Sequence, residues 1–148
     1  MKFYYYTLAC LITAGLLNLS SSSVVDKHHH IEGTWELENQ YSYDGVNVID
    51  TIENTEGYRQ IKMFYKGKVM WTRYVPKDSV EWFAYGSYAT TDSTLTETLE
   101  YGSESMMKIV DTMRVFKFEL QVKGDRYSQI TLDGEGKRLI SENYKRID

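Results

Sequence analysis

Two charged and three aromatic side chains at alternating positions are the best candidates for chemistry in this chain. Trp71 and Arg73 lie two residues apart in one predicted strand, and Trp82, Tyr88 and Glu97 lie in the next two. Residues two apart in a strand share one face, so all five can point into a small barrel. A pocket needs aromatic walls with a few polar groups, and Arg73 opposite Glu97 would hold a carboxylate or hydroxyl of a ligand. Alternatively, the rings fill the barrel and the two charges pair with each other.

Met63 joins this candidate lining through the register of one predicted hairpin, which has a tight Lys-Gly-Lys turn. A three-residue loop places Met63 on the same face as Trp71 and Arg73. A two-residue loop puts Met70 and Thr72 on that face instead. The apolar bulk favours the three-residue loop, so we predict that Met63 faces the interior.

Catalytic and metal-binding groups are scarce. From Gly33 onward the chain has no His and no Cys, which removes the commonest general base and the commonest thiol nucleophile. Three consecutive histidines, residues 28–30, lie in a segment without periodicity, whereas metal sites need preorganised geometry. We therefore predict no enzyme activity, no metal site and no cofactor.

The N-terminus predicts export. Residues 1–23 contain a lone Lys2, an apolar run and then four serines, the pattern of a cleaved secretory signal peptide. A retained membrane anchor is the alternative. Lipidation at Cys10 fits less well, because the apolar run before it is too short. We predict a secreted or periplasmic protein with a linker at residues 24–31 and one domain at residues 32–148.

Charge and cysteine content narrow the class of partner. The 148-residue chain has 17 basic and 21 acidic residues, and removing the leader takes away Lys2 alone, leaving 16 against 21 and a formal charge of −5. A mildly acidic surface with scattered basic residues disfavours nucleic acid and anionic membranes. The only cysteine, Cys10, lies in the leader, so the mature fold must stand without a disulfide.

Short alternating segments separated by turns predict an all-β fold. The clearest strand alternates Phe116, Phe118, Leu120 and Val122 with polar residues. About eight such strands form a small antiparallel up-and-down barrel, which avoids exposed edges. Residues 42–56 form a looser stretch. The apolar residues of 102–114 have helical spacing, which is compatible with a short helix or an irregular lid. Met106 and its neighbouring methionines would then serve as an adaptable cover or as core filler.

The two ends of this domain carry a pattern of their own. Gly33 and Trp35 open the first strand and Arg146 closes the last, so an indole can lie beneath a guanidinium where the barrel closes. This pattern resembles the calycin group, the lipocalins and their relatives. Residues 70–73, 76–83, 95–102 and 141–146 are similar to secreted lipocalin-like families of Bacteroidetes that carry a domain-of-unknown-function label. The resemblance implies a lipocalin-like barrel, and it brings no ligand with it.

Two functions follow as hypotheses. The first is a monomeric binding protein that holds a small, partly apolar molecule among Trp71, Arg73 and the other predicted lining residues. The second is a protein-interaction module with a solid interior, which uses Phe83 and Tyr85 on the outer face of the aromatic strand and allows a dimer.

Overall fold

Nine antiparallel strands form one sheet that closes into a ring. The computed structural model describes residues 31–77 and 80–148. The sheet order is β2-β1-β3-β4-β5-β6-β7-β8-β9, and β1 also pairs with β9. The predicted all-β up-and-down barrel is confirmed, with nine strands where the sequence indicates about eight. The strands are β1 (Gly33–Gly45), β2 (Val48–Ile52), β3 (Arg59–Tyr65), β4 (Lys68–Tyr74), β5 (Trp82–Thr90), β6 (Thr94–Gly102), β7 (Val115–Lys123), β8 (Arg126–Leu132) and β9 (Arg138–Arg146). The helix within the described residues is α1 (Glu104–Val110).

Strand β1 is long because it serves three neighbours. Its first residues pair with β3, residues 40–43 pair with β2, and its other edge pairs with β9. Asp44 ends it, since its carboxylate accepts hydrogen bonds from the backbone N–H groups of Val46 and Asn47 at 3.0 and 2.8 Å. The prediction of a loose stretch at residues 42–56 is therefore wrong over β2. Every residue of β2 is exposed, so no buried face produces an alternating pattern.

The β3–β4 hairpin has a two-residue turn, so the predicted three-residue loop is wrong. Met63 pairs with Met70, and the turn residues Lys66 and Gly67 both have positive φ, at 45° and 75°. Positive φ at both positions is the geometry of the tight turns that suit twisted hairpins. As a result Met63 lies on the outer face, 42% exposed, and Lys62 takes the inner position. The amount of apolar surface is a poor guide to the register here, because the inward Lys62 has buried hydrogen-bond partners in Glu97 and Gln129.

The barrel is sealed at the seam between the chain ends. The Arg146 guanidinium lies 4.2 Å from the centre of the Trp35 ring, a cation–π contact. Arg146 also donates to the Glu32 carbonyl at 2.7 Å. A Cβ at Gly33 would collide with this guanidinium, so the glycine allows the close approach.

Ile31 belongs to the barrel, which corrects the predicted linker at residues 24–31. Its side chain is 1% exposed within the core, and its carbonyl accepts the Trp35 Nε1–H at 2.8 Å. Residues 1–30, with the predicted signal peptide, the histidine run and Cys10, lie outside the described residues. In the described part of the chain no helix is long and apolar enough to span a bilayer.

Aromatic rings fill the sealed half of the barrel. Tyr127 and Tyr144 stack with centroids 4.8 Å apart, and Trp35 meets Tyr127 edge-on at the same distance. Tyr88 meets Phe64 edge-on, also at 4.8 Å. This half of the interior is solid core, held by dispersion and ring-edge contacts.

The other half is covered by the short helix α1, which settles the choice between a helix and an irregular lid. The Ser103 hydroxyl caps its first turn by accepting from the Met106 N–H at 3.4 Å. Met106 and Val110 are buried against β5 and β6, and Leu99 belongs to the same cluster. Met113, by contrast, lies exposed beyond the helix.

The bulge that Glu100 forms in β6, opposite Tyr85 and Gly86 of β5, gives a first prediction. The register shifts between Tyr85 and Gly86, and a Cβ at Gly86 would collide with the Thr98 carbonyl. We expect Gly86→Ala to lower the free energy of unfolding by about 2 to 3 kcal/mol, measured by chemical denaturation. Gly134→Ala is the control, because that position has open space and needs no positive φ. Equal denaturation midpoints for the two variants would contradict the close approach.

The stacked tyrosines give a second prediction. The Tyr144 hydroxyl donates to Glu142 at 2.6 Å and accepts from Gln60, whereas the Tyr127 hydroxyl is buried without a hydrogen-bond partner among the described residues. We expect Tyr144→Phe to destabilise the protein by about 1 to 3 kcal/mol, since it leaves buried partners unsatisfied. Tyr127→Phe should leave the melting temperature unchanged or raise it. A larger loss for Tyr127→Phe than for Tyr144→Phe would overturn this assignment.

Alkaline unfolding provides a second readout of the same pair. Burial raises the pKa of Tyr127 and of Tyr144 well above the ordinary value. In the unfolded chain these hydroxyls ionise at about pH 10. The stability gained by keeping them protonated in the folded state is therefore fully present below that pH and is lost as the pH rises toward their folded-state pKa values. Above about pH 10 the free energy of unfolding should fall with pH less steeply in either Tyr→Phe variant than in the wild type. The expected difference in slope is about 1.4 kcal/mol per pH unit.

Candidate functional site

A cavity of about 180 Å³ lies above the aromatic core. Arg73, with 31% of its side chain exposed, and Glu142, with 20%, keep it in contact with solvent. The helix supplies Met106 to its wall. The interior of the barrel is therefore neither entirely filled nor a deep cup.

The cavity has a polar side and an apolar side. The polar side comes from β8, β9, β1 and β3, which are consecutive around the barrel, and consists of Gln40, Gln60, Lys62, Gln129, Thr131 and Glu142. The apolar side comes mainly from β4, β6, β7 and α1, and consists of Trp71, Leu99, Met106, Phe116, Phe118 and, from β9, Ile140. Arg73 and Glu97 are the charged residues that the apolar strands contribute.

Lys62 is the most buried cation of this site. Its Nζ donates to Glu97 at 2.9 Å and to Gln129 at 2.8 Å, and the lysine and glutamate side chains are each 3% exposed. The ammonium also lies 5.9 Å from the ring centres of Phe64 and Phe118. A buried charge is tolerable only with such partners, so removing either member leaves an expensive unpaired ion. Glu97 therefore pairs with Lys62, not with Arg73 as the alternative of paired inner charges supposes.

Glu142 is the centre of a second group. Its Oε2 accepts from Gln129 at 2.9 Å, from Gln60 at 3.3 Å and from the Tyr144 hydroxyl at 2.6 Å. Arg73 donates from Nε to Gln60 at 2.8 Å, and one of its terminal nitrogens lies 3.5 Å from Glu142 Oε1. Since Gln129 contacts both Lys62 and Glu142, the two groups form one continuous network.

The formal charges of this network cancel. Lys62 and Arg73 are cations, and Glu97 and Glu142 are carboxylates. Burial raises the pKa of the Tyr58 hydroxyl, which donates to Gln60 beside Arg73 and stays protonated. The interior is thus rich in polar groups but carries no net charge.

Unused hydrogen-bonding capacity remains at the cavity surface. The Arg73 guanidinium carries five N–H donors, which is more than its contacts with Gln60, Tyr58 and Glu142 use, so donors remain on its terminal nitrogens. The Gln40 amide and the Thr131 hydroxyl line the cavity and have no side-chain hydrogen bond within the described ranges. A molecule in the cavity would meet both donors and acceptors.

The structure brings together only part of the lining that the sequence predicts. Trp71, Arg73 and Glu97 line the cavity. Tyr88 packs lower down in the aromatic core, and Trp82 packs near the helix outside the cavity wall. Alternation identifies the face of a strand but not the height of a residue along the barrel, and this is why two rings are misplaced. Met63 lies outside the cavity for a different reason, because the predicted register of the β3–β4 hairpin is wrong.

Sequence reasoning missed the residues that build the polar side. Gln129 lies between inward Tyr127 and Thr131, and Glu142 lies between inward Ile140 and Tyr144. A polar residue at an inner position of an alternating strand was the available signal. In residues 31–77 and 80–148, no three His, Cys, Asp or Glu side chains are grouped to hold a metal ion.

The outer face of β3, β4 and β5 carries an apolar groove, defined here by Met63, Tyr65, Met70 and Tyr85. Tyr85 also packs on Tyr101, with ring centres 5.3 Å apart. Phe83, the other residue of the predicted interaction surface, is half-buried and lies outside this groove.

Comparison with known proteins concerns the fold. No protein-family model matches the sequence, and no curated protein matches it. An uncharacterized protein from Bacteroides eggerthii is similar in structure, with a TM-score of 0.52, 16% identity and coverage of 78% of this chain and 98% of that chain. A lipocalin-like protein from Bacteroides uniformis has a TM-score of 0.53 and 15% identity, over 78% of this chain and 97% of its own. The barrel of this protein is accordingly lipocalin-like in its fold.

Proposed function

We propose that this protein binds a small, partly apolar molecule in the cavity above the aromatic core. The observation that carries the proposal is a cavity with an aromatic and aliphatic side facing a polar side with unused donors and acceptors. Ligand sites combine apolar walls with a few placed polar groups in this way. The lipocalin-like fold and the predicted signal peptide agree with a binding protein that acts in the periplasm or outside the cell.

The size of the cavity limits the ligand. Pockets for drug-sized molecules occupy about 300 to 1,000 Å³, and an engineered cavity of about 150 Å³ holds benzene. At about 180 Å³, this cavity takes one small ring or a short chain. A longer molecule would extend past Arg73 toward solvent.

The buried polar network supports binding over simple stability. Replacing buried ion pairs by well-packed apolar side chains is often neutral or stabilising, so folding alone does not call for these charges. Lys62, Glu97, Arg73 and Glu142 all border the cavity. A lining that fixes the orientation of a polar ligand needs such groups.

The tryptophans allow a direct test with benzyl alcohol as the probe. In a ¹⁵N NMR titration, we expect the Trp71 indole N–H signal to shift, because this ring lines the cavity. The Trp35 signal should stay in place, since its N–H is bonded to Ile31 in the sealed half. Trp71→Ala should weaken binding by about tenfold or more, or about 1.4 kcal/mol, through loss of the aromatic wall.

Met70→Ala is the matched control for that variant. Met70 neighbours Trp71 on β4 but lies in the outer groove. The Met70→Ala variant should therefore bind benzyl alcohol with the same affinity as the wild type. An unshifted Trp71 signal at saturating probe, or equal affinities for wild type and Trp71→Ala, would count against the cavity as a binding site.

A second candidate function is a protein contact through the outer groove. Met63, Tyr65 and Met70 are all exposed there, beside Tyr85. Contiguous exposed apolar residues mark interaction sites more often than isolated ones do. This reading agrees with a dimer or a protein partner.

Light scattering tests this second candidate. If the groove mediates self-association, the apparent mass of the wild type rises with concentration and Tyr85→Glu stays monomeric, because a carboxylate in the contact is costly to desolvate. Val48→Glu, at an exposed position on β2, serves as the control and should behave as the wild type. A wild type that is monomeric at every concentration contradicts self-association through the groove.

A further inference from the structure

We propose that the ligand of this cavity is electrically neutral and carries a hydroxyl or amide head that lies toward Glu142, with its apolar part against Trp71 and the phenylalanines. This inference rests on the proposed function, and it names the class of ligand for the same site. The balance of charges, the unused hydrogen-bonding groups and the two-sided wall each support it.

Charge balance is the first step. Lys62 is paired with Glu97 at 2.9 Å, and Arg73 lies 3.5 Å from Glu142, so each cation already has a carboxylate. A ligand carboxylate or ammonium would add one unpaired charge beside Glu142, whose side chain is only 20% exposed. Burying an unpaired ion carries a large desolvation penalty, whereas a neutral head avoids it.

The available hydrogen-bonding groups are the second step. The terminal nitrogens of Arg73 and the amide of Gln40 provide donors. Glu142 Oε1 accepts no hydrogen bond from residues 31–77 or 80–148 and lies 3.5 Å from Arg73, so it provides an acceptor. Thr131 provides both. Hydroxyl and amide groups donate and accept at once, so they match this mixture, whereas a carboxylate only accepts and an ammonium only donates.

The wall opposite Glu142 is the third step. Trp71, Phe116 and Phe118 form an aromatic surface there, and Leu99 and Met106 extend it with aliphatic groups. A wholly polar molecule would lose its hydration on this side without compensation. The ligand therefore has one apolar face and one polar end.

Three probes with the same ring test the inference: benzyl alcohol, benzoate and benzylamine, the last protonated at neutral pH. Each is titrated into the full-length protein and followed by the Trp71 indole signal. We expect benzyl alcohol to bind more tightly than either ion by about tenfold or more, equivalent to about 1.4 kcal/mol. Benzoate or benzylammonium binding as tightly as benzyl alcohol overturns the inference and leaves the proposed function standing. Failure of all three to bind contradicts the proposed function itself.

Two variants with opposite charge changes provide a second measurement. Glu142→Gln leaves Arg73 unbalanced and should shift the preference toward benzoate. Arg73→Met leaves Glu142 unbalanced and should shift it toward benzylammonium. Glu135→Gln, in an exposed turn, is the control and should leave the preference unchanged. A common direction of change in the two cavity variants overturns the charge-balance argument, and the wild-type ranking decides the case if either variant fails to fold.

Discussion

The ion pair between Lys62 and Glu97 is the constraint on which the interior depends. The two residues lie on β3 and β6, on different sides of the barrel, and their charges meet where both side chains are almost fully buried. Because neither charge is stable alone in such a place, Gln129 is recruited to the ammonium, and through it Glu142 joins the same network. This polar layer separates the solid aromatic half below from the cavity above, so it determines where the barrel can be hollow.

The two halves of the barrel are built on different principles. Below the network, Trp35, Tyr127 and Phe64 interlock with ring-edge geometry, and Arg146 covers the seam. Above it, a seven-residue helix is held by its Ser103 cap and a few buried aliphatic contacts. Isolated helices this short have little stability of their own, so the upper half depends on packing against β5 and β6.

Much of the fold was predictable, because closing the barrel requires particular residue types at its first and last strands. Gly33, Trp35 and Arg146 indicate a barrel whose ends meet, and alternation in β7 identifies a half-buried strand. Register and height were not predictable in the same way. The sequence favours Met63 over Lys62 at the inner position, because an inner lysine is acceptable only when residues distant in sequence neutralise it. It also predicts Tyr88 in the cavity lining, because alternation carries no information about depth along the barrel. The cavity itself depends on Gln129 and Glu142, whose inward positions become meaningful only when four strands are assembled.

One consequence of the strand order concerns β2, which ends the sheet with a single neighbour among the described residues. Its free edge exposes Val48, Ile49 and Ile52, a template on which another extended chain can add a strand. Asp50 interrupts this run with a negative charge, and in edge-to-edge pairing of two copies around that position the carboxylates would face each other and repel. The repulsion between these carboxylates would disfavour edge-to-edge association of two copies at the strand whose backbone the ring leaves unpaired.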